Sequence, residues 1–332
     1  MPEHIWPAGS VTGIGSMPGT EIDETQRLLL GELGELPHLA ELPARGVGAD
    51  MIGRSAAILS DLPVEVQPSG WRLTTHNGRD LRRARDFLER DLDVLEVEAG
   101  SHTGPFKIQI AGPWTLAASI ELPSGHRVVS DHGATRDLIE SLVVGLAGHL
   151  DEVRKRLPNA RLIVQVDEPS LPAVLGARVP TPSGYGTARS IEDVVVRRGL
   201  EQVLAVIPEG ARVVHCCADD IPVDLLREAG ANAISFDALR IGTRHDDALG
   251  TAVESGVSLW AGVLPSSDTP IGAKSAHRPI AALASHLGIS ALDLPSSVVP
   301  TPVCGLAVAT PAYARRVLTV LTELGHILTD LD

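Results

Sequence analysis

Along most of the chain, short apolar runs alternate with stretches whose apolar residues recur every three or four positions. The runs read as buried strands and the periodic stretches as amphipathic helices. Strands are expected at roughly residues 11, 37, 107, 162, 212, 233, 257 and 297. The third is Lys107-Ile108-Gln109-Ile110-Ala111, ended by Gly112-Pro113, and the fourth ends in Asp167-Glu168-Pro169. Helices are expected from Gly19 through Leu30, from Gly48 onward, and over 80–98, 134–157, 191–207, 223–229, 246–255, 280–287 and 312–328. The helix over 134–157 carries Leu138, Leu142, Val143, Leu146 and Leu150 at helical spacing. Residues 63–104 are less regular, with an excursion around Trp71 to His76.

Alternating β and α elements imply a parallel sheet with right-handed crossovers. Eight such units predict an α/β fold: a single (β/α)8 TIM barrel spanning residues 1–332, its active site at the C-terminal ends of the strands. No proline- or serine-rich linker divides the chain, and Pro-Thr-Pro-Ser-Gly-Tyr-Gly at 180–186 reads as an active-site loop after the fourth strand.

Composition narrows the class. Apolar residues make up 44% and charged residues 21% of 332, enough for a large core, while aromatics at 3% leave that core to Leu, Val, Ile and Ala. A net charge of −14 without a Lys/Arg-rich face argues against a nucleic-acid partner. The N-terminus lacks the basic and apolar regions of a signal peptide, and no apolar run approaches the ~20 residues that span a membrane. Three cysteines cannot all pair, so reduced thiols and a soluble, cytoplasmic protein are expected, as a monomer or homodimer. The glycine-rich stretch at 13–19 has neither a Lys-Ser/Thr pair nor a full GxGxxG, which excludes a nucleotide-phosphate loop.

The chemistry concentrates in Val213-Val214-His215-Cys216-Cys217-Ala218 and in Cys304, within Pro302-Val303-Cys304-Gly305-Leu306. Side chains alternate along a strand, so His215 and Cys217 share a face while Cys216 points the other way into packing. A lone buried cysteine is usually only a small hydrophobe. Imidazole and thiolates delivered together suit zinc, for which Cys304 is a third ligand and Asp237, ending Ile234-Ser235-Phe236-Asp237, a fourth. Ser16, Glu41 and Asp167 fall at the ends of the first, second and fourth expected strands, so all seven residues would meet at one mouth.

These residues also resemble a known family. Ile14-Gly15-Ser16-Met17-Pro18, Gly112-Pro113, Val166-Asp167-Glu168-Pro169-Ser170-Leu171, His215-x-Cys217, the segment ending at Asp237, Gly262-Val263 and Val303-Cys304-Gly305-Leu306 follow one another as in the catalytic C-terminal barrel of cobalamin-independent methionine synthases. The resemblance covers nearly the whole chain. It implies a methyltransferase of methionine biosynthesis with catalytic Zn2+ held by His215, Cys217, Asp237 and Cys304. It further implies L-homocysteine bound by Ser16 and Asp167, with Glu41 on its amine. The zinc-activated thiolate would be methylated to methionine, with methyltetrahydrofolate or a methyl-corrinoid protein as donor. Three features depart from the family. Asp237 stands where the family has Glu. The loop Leu264-Pro265-Ser266-Ser267-Asp268 lacks the family's proton-relay histidine, and the N-terminal barrel of the full-length enzyme is absent. Two alternatives remain at this stage: a zinc methyltransferase for another thiol, within the related uroporphyrinogen-decarboxylase-like superfamily, and a non-catalytic barrel that binds zinc or an amino acid.

Overall fold

Six of the apolar runs pair as one parallel sheet. The computed structural model describes residues 4–330, and within them the strands are β1 (Val64–Gln67), β2 (Gly70–Leu73), β3 (Gly104–Ala111), β4 (Ala160–Asp167), β5 (Arg212–His215), β6 (Ala233–Asp237), β7 (Ser258–Leu264) and β8 (Val298–Pro302). Strands β3 to β8 lie side by side in sequence order, all parallel, while β1 and β2 form a separate antiparallel hairpin. The expected closed barrel of eight parallel strands is therefore corrected: among the described residues the ladder is a six-stranded half-barrel sheet.

The reason lies in the two segments expected as the first strands. Residues near 11–17 and 37–42 are extended, but they make only isolated parallel bridges, Ser16 to Glu41 and His38 to Lys107. Beyond those bridges, some of their backbone carbonyls are held by buried side chains. The Ile14 carbonyl accepts from Lys107 Nζ and Gln165 Nε2, at 2.9 and 2.8 Å. The Leu39 carbonyl accepts from Gln109 Nε2 at 2.8 Å, and the Gln26 amide spans the His38 carbonyl and the Ala40 N–H, both at 3.0 Å. Every buried backbone group needs a partner; the Leu39 and Met17 N–H groups find theirs in the Lys107 and Glu41 carbonyls, both at 2.9 Å, and the Thr12 N–H in the Pro300 carbonyl at 3.3 Å.

Helices cover the outer face, as a parallel sheet requires. His132–Arg156 returns β3 to β4; it starts where the Asp131 carboxylate accepts the Ala134 N–H at 2.9 Å and ends in Arg154, Lys155 and Arg156, which suit a helix C-terminus. Its buried stripe runs through Leu138, Leu142, Leu146 and Leu150, the residues whose spacing marked it in the sequence. The closing helix Pro311–Thr329 is capped by Thr310 and buries Val317, Leu321, Leu324 and Leu328. Among the described residues no helix is long and apolar enough to cross a membrane.

The inner face changes character along the strands. Ile163, Val213, Ala233, Trp260 and Val299 form an apolar floor with Trp6 and Leu36, the Trp6 and Trp260 rings meeting edge to face at 5.3 Å. Two residues further along the same strands, and so on the same face, stand Gln165, His215, Ser235, Gly262 and Thr301, the four polar ones all buried. A dry floor thus supports a polar layer toward the C-terminal ends of the sheet.

On the outer side, His149 is buried in the helix His132–Arg156, and burial first, then Arg54 and Arg156, pushes its imidazole down to about 4. The unfolded chain takes up that proton near 6.5, so stability from the neutral form is complete above that pH and is lost as pH falls toward 4. His149→Gln should flatten the plot of urea stability against pH in this window, by up to roughly 3 kcal/mol. An unchanged slope would place the acid sensitivity elsewhere.

Candidate active site

Strand β5 ends at His215, and Cys217 follows two residues later on the same face. Cys304 arrives from the turn after β8, and one donor atom from each of the three lies within 4.8 Å of the other two. The Cys217 and Cys304 sulfurs are 3.7 Å apart, far beyond a disulfide bond, and both cysteines are free. Register sets His215 beside Ser235 of β6, whose Oγ lies 2.9 Å from His215 Nδ1. The other ring nitrogen, Nε2, is buried without a hydrogen-bond partner. Two glycines bring Cys304 in. A Cβ on Gly262 of β7 would lie 2.6 Å from Val303 Cα, and one on Gly305 would overlap Ser16 Oγ.

The two sulfurs share a proton unequally. The hydrogen bond from Cys217 lowers the Cys304 thiol to about 4, with His215 acting the same way against burial. Cys217, as the donor in that bond and partly buried, is raised. Cys216 faces the outer core, where burial pushes it up to about 12, as its alternation in the strand anticipates. An oriented imidazole with a free buried nitrogen and two non-bonded sulfurs at this separation fit a tetrahedral zinc ion. Asp237, half-buried at the end of β6, is not within the 4.8 Å group; its Oδ1 accepts the Leu239 N–H at 2.9 Å.

Beside the sulfurs stand two buried carboxylates. Asp167 ends β4 as the register partner of His215, and burial first lifts it to about 7 while His215 opposes the rise. Glu41 is also raised by burial, against the pull of Arg54, whose Nε lies 3.5 Å from Oε1. Arg54 is itself held by Asp91, which Arg45 grips with both terminal nitrogens at 2.6 and 2.7 Å. Ser16 is bridged to Glu41, and its carbonyl accepts the Leu306 N–H at 2.7 Å, which ties the glycine-rich turn to the segment carrying Cys304. The structure therefore gathers His215, Cys217 and Cys304 into one cluster, with Asp167 beside His215, Ser16 against Gly305 and Glu41 bridged to Ser16, while Asp237 lies outside it.

Sequence reading missed the polar layer beneath. Lys107, wholly buried, donates to the Ile14 carbonyl and Gln165 Oε1, both at 2.9 Å, and burial lowers it to about 7. Gln165 Nε2 donates to Asp167 Oδ1 at 2.7 Å. The signal was present: Lys107/Gln109 and Gln165/Asp167 are polar residues at alternate positions in strands whose faces should both be apolar. Glu168, also overlooked, is buried beneath the start of the helix Pro113–Ser119. Its carboxylate accepts the Trp114 and Thr115 N–H groups at 2.9 and 2.7 Å, and burial raises it to about 7. It fixes the turn that follows Asp167. The 180–186 loop is exposed above β4, pinned at its base by a Pro180–Thr187 bridge, with Tyr185 almost entirely in solvent. In the loop after β7, Asp268 accepts the Thr310 N–H at 2.9 Å and so anchors the closing helix.

No family model matches the chain, and no curated protein matches it in sequence. Solved structures do match in fold. One is a B12-independent methionine synthase from Shewanella sp. W3-18-1 in complex with selenomethionine, with a TM-score of 0.63 over 97% of this chain and 98% of that one, at 11% identity. At that identity the likeness is one of fold.

The close approach at Gly262 is testable. Gly262→Ala would press its Cβ on the Val303 Cα, 2.6 Å away, and force the Cys304 turn to shift, so any zinc held by the cluster should bind about tenfold or more weakly in a competitive chelator titration. Wild-type affinity in that variant would mean that the turn does not set the position of Cys304.

Proposed function

We propose that the protein is a zinc-dependent methyltransferase that methylates homocysteine to methionine. The observation that carries this reading is the convergence of His215, Cys217 and Cys304 within 4.8 Å, beside the buried carboxylates of Glu41 and Asp167. The motif resemblance and the fold shared with a methionine synthase support it.

His215, Cys217 and Cys304 would hold the ion, leaving a fourth position for the substrate sulfur or, in its absence, for Asp237 after rotation away from Leu239. Bound there, zinc supplies a Lewis acid that keeps a coordinated thiol deprotonated at neutral pH. Ser235 fixes the His215 ring so that Nε2 faces the cluster. Glu41 and Asp167 would receive the substrate ammonium, and Ser16 its carboxylate. A free thiol, with a pKa of about 8.5, is mostly protonated at neutral pH, so activation is what a methyl transfer to sulfur needs. Methyltetrahydrofolate or a methyl-corrinoid protein would present the methyl group from the open side, at the C-terminal ends of the strands, where α/β sheets bind ligands.

Zinc X-ray absorption tests the reading. One zinc per chain is expected, with two sulfur neighbours that become three on adding L-homocysteine, and Cys217→Ser should remove most of the bound metal. Zinc whose sulfur count ignores L-homocysteine, or no tight zinc with thiols kept reduced, would contradict it.

A further inference from the structure

Lys107 is a buried cation that the proposed chemistry does not use directly, and burying a charge is costly unless every proton finds a partner. Its three donors do. They reach the Ile14 carbonyl at 2.9 Å, Gln165 Oε1 at 2.9 Å and, more weakly, Gln109 Oε1 at 3.4 Å. An ammonium group can only donate, so it turns the oxygens of both glutamines toward itself and their NH2 groups away. One NH2 group reaches the Asp167 carboxylate, and both reach backbone carbonyls of the segments that carry Ser16 and Glu41. Gln165 Nε2 donates to Asp167 Oδ1 at 2.7 Å and to the Ile14 carbonyl at 2.8 Å. Gln109 Nε2 donates to the Leu39 carbonyl at 2.8 Å, two residues before Glu41. The Gln109 stem lies close under Gly15, where a Cβ would come within 2.8 Å of its Cγ. One lysine is thus joined through two amides to Asp167, to the Glu41 segment and to the turn that presents Ser16.

We infer that Lys107 is a positioning residue for the ammonium of the substrate: by fixing the two glutamine amides it sets Asp167 and the Glu41 segment to receive that ammonium. The inference rests on the amino-acid-thiol reading above. It predicts a division of labour on the inner face, with the sulfur held by His215, Cys217 and Cys304, and the ammonium held by elements that meet at Lys107. The floor beneath needs no such charge; Ile163, Val213, Ala233, Trp260 and Val299 fill it with apolar side chains alone.

Calorimetry on the zinc-loaded full chain tests this with two probes: L-homocysteine, and 4-mercaptobutanoate, which keeps thiol and carboxylate but lacks the amine. Lys107→Met should weaken L-homocysteine by roughly tenfold to a hundredfold and 4-mercaptobutanoate by only a few-fold, with zinc content unchanged. Gln165→Met, which cuts the link to Asp167 and removes one acceptor of the lysine while keeping its charge, should give the same selective loss and decides the matter if Lys107→Met does not fold. Equal losses for both ligands, loss of zinc with them, or undiminished L-homocysteine affinity would overturn the inference while leaving the function standing. Wild-type protein that holds zinc but binds no L-homocysteine would instead overturn the function, and this role with it.

Discussion

A charge carried into the interior of a sheet must be satisfied by what surrounds it, and Lys107 imposes that condition on this molecule. Its ammonium has no solvent to turn to, so the chain supplies the Ile14 carbonyl and the Gln165 side-chain oxygen from two segments distant in sequence, and the Gln109 side-chain oxygen from its own strand. The cost of leaving any one of those bonds unmade is of the order of 1–3 kcal/mol, more when a charge is involved. That penalty binds the extended segments near residues 14 and 39 to the sheet more firmly than their single bridges would.

Register and small residues then determine the chemistry. Because β4, β5 and β6 are parallel and in step, Asp167, His215 and Ser235 stand side by side, and Ser235 orients the His215 ring. Gly262 and Gly305 have no room for a side chain, and that lack of room lets the segment after β8 carry Cys304 against Cys217. The metal-binding proposal therefore depends on ordinary sheet geometry plus two close backbone approaches. Glu168, bonded to the start of the helix Pro113–Ser119, keeps the turn after Asp167 from relaxing.

Much of this was legible in the residues, and what was not has physical causes. Strand alternation separated His215 and Cys217 from Cys216, and the structure keeps that separation, with Cys216 in the outer core. The six strands from residue 104 onward and the helices between them followed from apolar runs and helical spacing. The first two expected strands failed because an apolar, extended pattern does not reveal how many ladder bonds form; these segments pair only at the isolated bridges Ser16–Glu41 and His38–Lys107. The β1–β2 hairpin lay in the stretch whose pattern was least regular. Lys107 and the two glutamines were passed over because a polar residue in a strand suggests solvent, and only the closed-in inner face shows that solvent is not there.

The most direct test of the central claim is anomalous diffraction at the zinc edge from crystals grown with zinc and L-homocysteine. The account predicts one strong peak at about 2.0–2.3 Å from His215 Nε2, Cys217 Sγ and Cys304 Sγ, with the ligand sulfur as a further neighbour. A peak elsewhere, or none at these three residues in crystals whose cysteines are reduced, would contradict it.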